Sequence, residues 1–280
     1  MTTLAGVEAR AATGPTRGSR VVMYVLNDCR TDVRVLREAK TLADAGFDVT
    51  VVARPTDITA TVGDSEQRDG FRIERVPISI RPARQLILAL LRSPGHLSPA
   101  VTTWLRRPGG GSARGRLESA MVAALAVLSI PITVPLFVIA MGFRSAARHS
   151  ATLAGLARGL GVVARWRLSY LAWSRSAALA GGRAEVHHGH DLRGVAAACL
   201  ARRQFGGRLV YDSHEYFTET GGMARQQRWA KRYVARLERR FAGGGDALVT
   251  VNATLARLLN EPLRLPRAVV VRNCPPRQEP

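Results

Sequence analysis

Acidic residues are scarce in this chain of 280 residues: 21 Asp and Glu stand against 41 Lys and Arg, for a formal charge of +20 and a pI near 11.5. That imbalance is far from electrical neutrality and implies an anionic partner: phospholipid, nucleic acid or a phosphorylated substrate. Cysteine is scarcer still. Cys29, Cys199 and Cys274 are far apart and odd in number, which argues against a disulfide framework, supplies no paired-cysteine metal spacing, and fits free thiols in a reducing compartment. Residues 1–19 carry no apolar core, so they read as a flexible leader rather than a secretory signal.

What is present is an alternation of short apolar runs and helical spacings. RVVMYVL (20–26) reads as a strand, 27–32 as a polar loop, Val33–Ala45 as a helix closed by Gly46, and DVTVVA (48–53) as the next strand. FRIERVPI (71–78) reads as a third. After an interruption the rhythm resumes, with strands at 184–188, 208–211, 247–251 and 268–273 and helices at 192–205, 224–242 and 253–260. Such alternation predicts an α/β fold, a Rossmann-like doubly wound parallel sheet. Ligands of such sheets bind beyond the carboxyl ends of the strands. Two clusters of ionisable side chains, His188–Asp191 and Asp212–Glu215, fall at such ends and predict a polar, sugar-handling cleft.

The interruption, 79–183, holds fourteen arginines and one acid, Glu118, and so carries +13 of the total charge. Within it, Ser119–Phe143 is a run of 25 uncharged residues. A straight helix of that length spans the roughly 30 Å hydrocarbon core. A single crossing would, however, separate strands of one sheet across a bilayer, and arginines at 158, 165, 167 and 175 make a second crossing costly at ~2.5–3.5 kcal/mol each. Pro131 and Pro135 divide the run, which predicts a kinked membrane wedge over 119–143 that enters and returns. Beside it, Leu153, Leu156, Leu160, Val163, Tyr170 and Trp173 share one helical side, with Arg158 and Arg165 opposite, as in a helix lying in the interface. Three of the four tryptophans, 104, 166 and 173, lie in or beside this insertion, and Trp favours the headgroup layer. A buried helical hairpin is the competing reading.

The series VLNDCRTDVRVLREAKTLADAGFDVTVVA, EVHHGHDLRGVAAACLARR, LVYDSHEYFTE, RLERRFAGGGDALVTVN and VVVRNCPP resembles the N-terminal half of glycosyltransferase family 4 enzymes of the GT-B type. The resemblance covers 20–78 and 184–276. It implies a Rossmann-like acceptor-binding domain and retaining hexosyl transfer from a nucleotide sugar to a lipid-linked or envelope glycan; the long helical, membrane-associated insertion at 79–183 is expected from its own residues. Family members continue into a second domain that holds the donor. Here the sequence ends at Pro280, so the donor-binding domain is expected to be absent from this chain, supplied by a partner subunit or lost.

Carried onto this sequence, the family histidine that faces the transferred sugar is His190, the expected catalytic residue; a neutral imidazole there can hydrogen-bond a hydroxyl and accept a proton. Asp191 is expected to bind acceptor or cap the helix that follows. Asp212, His214 and Glu215 are expected to orient sugar hydroxyls, with loop structure and capping as the alternative. Asn27, Asp28, Asp32 and Arg34 occupy the first strand–helix loop, which has no glycine and resembles the D-x-R-V-x-R-E-A subgroup; Arg34 could grip a lipid phosphate or pair with Glu38 at i,i+4. Asn252 and Asn273 could line the cleft or make turns, Glu238 matches a family position, and one of His187 and His188 is expected to face the core.

The histidines and carboxylates are numerous enough for zinc or manganese, but no helical H-x-x-x-H or cysteine pair fixes a geometry, so no metal and no tightly bound cofactor is expected. Nucleic acid is not expected as a partner, because no recognition helix, zinc spacing or aromatic platform accompanies the charge. The membrane surface, at the cytosolic face of the cytoplasmic membrane, and a donor-domain subunit are. The alternative of a different class is a non-catalytic membrane adaptor or truncated remnant that keeps only the fold.

Overall fold

The computed structural model describes residues 16–56, 63–78, 149–266 and 268–272, together with 142 and 145. Its centre is an eight-stranded sheet: β1 (Arg20–Tyr24), β2 (Asp48–Ala53), β3 (Asp64–Arg68), β4 (Phe71–Arg75), β5 (Val186–His190), β6 (Arg208–Ser213), β7 (Ala247–Thr250) and β8 (Ala268–Val270), in the order β3-β4-β2-β1-β5-β6-β7-β8. Every neighbouring pair is parallel except β3–β4. The helices are α1 (Val33–Asp44), α2 (Ala151–Arg165), α3 (Leu171–Gly181), α4 (Asp191–Phe205), the single turn α5 (Gly221–Ala224), α6 (Arg228–Ala242) and α7 (Ala253–Leu263).

β1 shows why the central strands read as unbroken apolar runs. Successive side chains alternate, so Val21, Met23 and Val25 pack with Val35 and Ala39 of α1, while Val22 and Tyr24 pack with α3 and α4 on the other face. The expected α/β doubly wound architecture is therefore what the chain adopts. Some boundaries move. β5 lies two residues later than its sequence reading, because Gly189 and His190 are themselves in the sheet, paired with Tyr211 and Asp212 of β6. The single helix expected over 224–242 is two, α5 and α6, separated by Arg225–Gln227.

β3 was not anticipated. Its residues DSEQR are polar on both sides, and it is an edge strand held by its backbone pairing with β4 across a two-residue turn, Asp69–Gly70, both with positive φ (47° and 86°). Arg75 of β4 fastens it, donating to Glu66 at 2.7 Å and to the Asp28 carbonyl at 2.7 Å.

The latter part of the expected insertion belongs to this domain. α2 and α3 are joined through a π-helical turn, Trp166–Tyr170, and both Trp166 and Trp173 are buried in the core beside Leu192 and Tyr211. The Trp173 indole donates to the Val76 carbonyl at 3.2 Å. The stripe read as one lipid-facing side is thus divided: Trp173 turns into the core, and Leu156 and Leu160 remain at the surface. The wedge at 119–143 lies outside the described residues, apart from Gly142. No helix among the described residues is long and apolar enough to cross a membrane.

Candidate functional site

The carboxyl ends of β1, β5 and β6 converge on one buried polar cluster. Two glycines bring it together. A Cβ on Gly189 would lie 2.3 Å from Val195 Cα, and one on Gly194 would lie 2.1 Å from the Tyr24 carbonyl oxygen, so only glycine lets the first turn of α4 close against β5 and β1. Asp191, at the junction, has φ of 51°, a left-handed conformation for a residue with a side chain.

Asp212, the fifth residue of β6, is the centre of the cluster and is fully buried. Arg34 reaches it from the first turn of α1, with Nη2 at 3.0 Å from Oδ1 and Nε at 3.3 Å from Oδ2. The same guanidinium contacts Glu38 Oε1 at 3.0 Å and donates to the Val271 carbonyl at 3.0 Å. Three imidazoles approach Asp212 Oδ2: His214 Nε2 at 3.2 Å, His190 Nδ1 at 3.3 Å and His188 Nε2 at 3.9 Å. The rings of His188 and His190 stack at 4.5 Å between centroids. Yet His188 Nε2, both nitrogens of His190 and both Glu38 oxygens lack a hydrogen bond of good geometry. Unsatisfied buried polar atoms are costly in a scaffold and common where a ligand is to be met.

Electrostatics separate these groups. Burial raises the Asp212 carboxyl, but His190 and His214 outweigh it and hold the group well below the ordinary carboxylate range. Burial lowers His190, and the Asp212 and Glu38 carboxylates reverse that, leaving its pKa above the usual histidine value. Burial lowers His214 too, and the Asp212 and Asp191 carboxylates outweigh it, so its pKa shifts upward. His188 is pushed down to about 3 by burial first and by its neighbour His190 second, so it stays neutral. Glu38 is pushed up to about 7, by burial and then by Asp212.

His187 faces the opposite side of β5. It is buried between the Tyr24 hydroxyl and the Gly206 carbonyl, each 3.1 Å from a ring nitrogen, and is the core histidine expected of the pair.

Several residues expected to touch an acceptor make hydrogen bonds that fasten the loops. Asn27 accepts from the Cys29 N–H at 2.8 Å and donates to Asp32 at 2.7 Å; Asp32 caps α1 by accepting from the Val35 N–H at 3.3 Å. Asp28 accepts from the Thr56 hydroxyl and from the Arg30 N–H. Arg34, 6% exposed, turns inward rather than toward a surface phosphate, combining the expected Glu38 pair with an unexpected one to Asp212. Asp191 caps nothing; its carboxylate accepts from the His214 N–H at 3.4 Å. Asp212 has no exposed surface with which to meet a sugar. Glu238 is buried and accepts from the Tyr211 hydroxyl at 2.6 Å rather than pairing with arginines of its own helix. Asn273 and Cys274 lie outside the described residues, and Cys29 and Cys199 are buried free thiols.

Beside the cluster lies an open groove of about 480 Å³ between the end of β6 and the start of α7. His214, Glu215 and Asn252 line it, with Tyr216, Thr220 and Leu258. Asn252 also caps α7 through the Leu255 N–H at 2.8 Å. His214, with about a quarter of its side chain exposed, connects groove and cluster, since its ring centroid is 6.0 Å from that of His190. Glu38, read from sequence only as an ion-pair partner, is the cluster member that spacing did not reveal.

One donor atom from each of Glu38, His188, His190 and Asp212 lies within 4.8 Å of the others, close enough to share an ion. The Arg34 guanidinium supplies positive charge to both carboxylates of this set, 3.0 Å from an oxygen of each.

The family model for the glycosyl transferase 4-like domain matches residues 121–274, more than half of the chain, and spans the whole histidine segment. The chain belongs to this family. Solved structures at 10–11% identity include sucrose-phosphate synthase from Thermosynechococcus elongatus, with a TM-score of 0.45 over 91% of this chain and 48% of its own. A shorter structure of that protein gives 0.42 over 92% of this chain and 90% of its own. UGT73P12 from Glycyrrhiza uralensis, complexed with glycyrrhetinic acid 3-O-monoglucuronide, gives 0.38 over 91% and 49%, at 10% identity. The chain thus spans about half the length of the full sucrose-phosphate synthase and of UGT73P12. No curated protein matches it. Membership in the glycosyl transferase 4-like family rests on the family match, and it assigns glycosyl transfer as the general chemistry of the domain.

Proposed function

We propose that this chain supplies the acceptor-binding half of a GT-B glycosyltransferase that moves a hexosyl group from a nucleotide sugar to a lipid-linked or envelope glycan, with retention of configuration. The nucleotide sugar is held by a second Rossmann-like domain, in a partner subunit or in further sequence. The work is done at the cytosolic face of the membrane. The observation that carries the reading is His190: a buried imidazole at a strand's carboxyl end, with Nδ1 3.3 Å from Asp212 Oδ2 and neither nitrogen in a hydrogen bond of good geometry.

In this reading His190 Nε2 hydrogen-bonds a hydroxyl of the sugar being transferred. Asp212 is a positioning residue whose Oδ2 faces His190 Nδ1 at 3.3 Å, and His190 and His214 keep Asp212 ionised in a buried setting. His214, Glu215 and Asn252 orient acceptor hydroxyls in the groove. The bond from the anomeric carbon to the nucleotide diphosphate breaks with its electron pair on the phosphate oxygen, the acceptor oxygen bonds to that carbon, and the acceptor proton leaves with the diphosphate or a nearby base. No tightly bound cofactor enters.

The low exposure of His190, 2%, favours a second reading, a non-catalytic adaptor that keeps the fold. One experiment separates the two. The full chain is purified in mild detergent with whatever accompanies it, and transfer from labelled nucleotide sugars to extracted membrane lipids is compared with that of His190→Ala. A loss of about a hundredfold or more supports catalysis. Unchanged transfer overturns the role of His190, and a chain that purifies alone and is inert toward every nucleotide sugar favours the adaptor.

A further inference from the structure

The buried cluster at the ends of β5 and β6 holds more ligating atoms than its own hydrogen bonds use. Among the described residues, both oxygens of Glu38, Nε2 of His188 and both nitrogens of His190 are buried without a hydrogen bond of good geometry. His188 and His190 are 8% and 2% exposed. Open donors and acceptors are costly away from water, and so many at one place call for a group that completes them.

The sheet brings these atoms together by register. His190 of β5 and Asp212 of β6 are partners on neighbouring parallel strands, and His188, two residues before His190, stands on the same face. On its other side His188 is in register with Met23 of β1, which packs with Val35 and Ala39, so this is the face that α1 covers. Glu38, in the second turn of α1, completes the group. The absence of a linear ligand spacing, from which no metal was expected, reflects donors that come from three separate elements.

The separations suit a small ion. His190 Nδ1 is 3.3 Å from Asp212 Oδ2, His188 Nε2 is 3.9 Å from the same oxygen, and Glu38 Oε2 is 3.9 Å from His190 Nδ1. Ligands at ~2.0–2.2 Å from a tetrahedral ion stand roughly 3.3–3.6 Å from one another, so the first pair already has the spacing and the other two need to close by about half an ångström. Two imidazole nitrogens and two carboxylate oxygens are a donor set for zinc and its first-row neighbours, whereas magnesium and calcium prefer oxygen alone. Arg34 stands beside the set: Nη2 is 3.0 Å from Glu38 Oε1 and from Asp212 Oδ1, in each case the carboxylate oxygen other than the one nearest His190, and it also approaches Asp212 Oδ2 at 3.2 Å. A guanidinium so placed orients the carboxylates and offsets part of their charge, which makes an ion held there exchangeable.

We propose that Glu38, His188, His190 and Asp212 form an exchangeable site for a divalent transition-metal ion, with zinc the best fit. The ion takes Nδ1 of His190 and leaves Nε2, the nitrogen assigned to the sugar, free, so it fixes the ring without entering the transfer step. The inference goes beyond the transfer reading and names a ligand that the chain binds on its own.

Titration calorimetry of the full chain, freed of metal by chelation, with zinc chloride tests it, alongside His188→Ala, the shape-conserving Glu38→Gln, and visible absorption with cobalt(II) in place of zinc. The parent is expected to bind one zinc ion per chain and each variant to bind it about tenfold or more weakly, with unfolding transitions like the parent's. Cobalt(II) is expected to give the intense absorption of a four-coordinate site, lost in His188→Ala. Either variant binding zinc as the parent does overturns the four-residue site and places the ion elsewhere, as on a cysteine thiol or a surface histidine. No uptake by the parent, or the weak absorption of six-coordinate cobalt, overturns it as well. The measurement needs neither sugar nor donor domain, so transfer that is indifferent to His190→Ala would sink the transfer reading and leave this result standing.

Discussion

His187 and His190 stand three residues apart on β5, both shielded from water, and they have opposite circumstances. His187 sits on the side of the strand facing Tyr24, with each nitrogen matched to one neighbour. His190 sits on the other side, at the strand's end, among carboxylates and a second imidazole, with no well-formed hydrogen bond. Burial is therefore a poor guide to role here. The distinction is whether the surrounding atoms complete the ring's hydrogen bonding or leave it to be completed from outside.

The comparison breaks most easily at Asp212. Asp212→Ala leaves the Arg34 guanidinium buried with Glu38 as its remaining carboxylate, and removing one partner of such a buried pair costs about 3–5 kcal/mol. Urea denaturation of the full chain should register a loss of that size; one below about 1 kcal/mol would mean that the cluster rearranges freely and has no fixed geometry to contrast with His187. Next in size is the pair His187→Ala and His190→Ala. The first orphans the Tyr24 hydroxyl and the Gly206 carbonyl and should cost about 1–3 kcal/mol while sparing transfer. The second should cost less stability and abolish transfer, and the reverse pattern would invert the assignment of the two residues.

The smallest effect is on pH dependence. Glu38, raised to about 7, contributes stability that is complete below its ordinary titration range and is lost as pH rises through 7. His190, also raised, adds to that loss above its ordinary pKa of roughly 6.5. His188, depressed to about 3, has the opposite sign: its contribution is complete above roughly 6.5 and is lost on acidification. Between roughly pH 5 and 6.5 the Glu38 and His188 slopes oppose one another, so the parent should be nearly flat there and decline above. Glu38→Gln should soften the decline and expose a fall toward acid, by about 1 kcal/mol per pH unit at most. Denaturation midpoints measured from pH 5 to 8 decide it, and identical profiles for parent and variant would remove Glu38 from the network.

Much of the frame was legible. β1, β2 and α1 announce themselves because a strand buried on both faces must be apolar throughout, and because Asp32 and Gly46 punctuate the helix between them. The convergence of the His188–Asp191 and Asp212–Glu215 segments was also readable, since both follow apolar runs of parallel strands. What could not be read was direction. Arg34, Asp32 and Asn27 belong to residue types that bind ligands and fasten loops with equal ease, and only the fold turns Arg34 inward to Asp212. β3 was invisible because an edge strand can be polar on both sides when its partner's backbone holds it. The tryptophans misled for a related reason: Trp173 suits an interfacial belt, but the same amphipathic ring fits a core that offers its N–H the Val76 carbonyl.

The planar fork of Arg34 bridges parts of the chain that are distant in sequence: Asp212 at one sheet end, Glu38 a helical turn away, and the Val271 carbonyl just past β8. A guanidinium is rigid, so its donors cannot be re-aimed one at a time. Through this one side chain the chain just past β8 is tied to the carboxylate that the imidazoles of β5 face across the sheet.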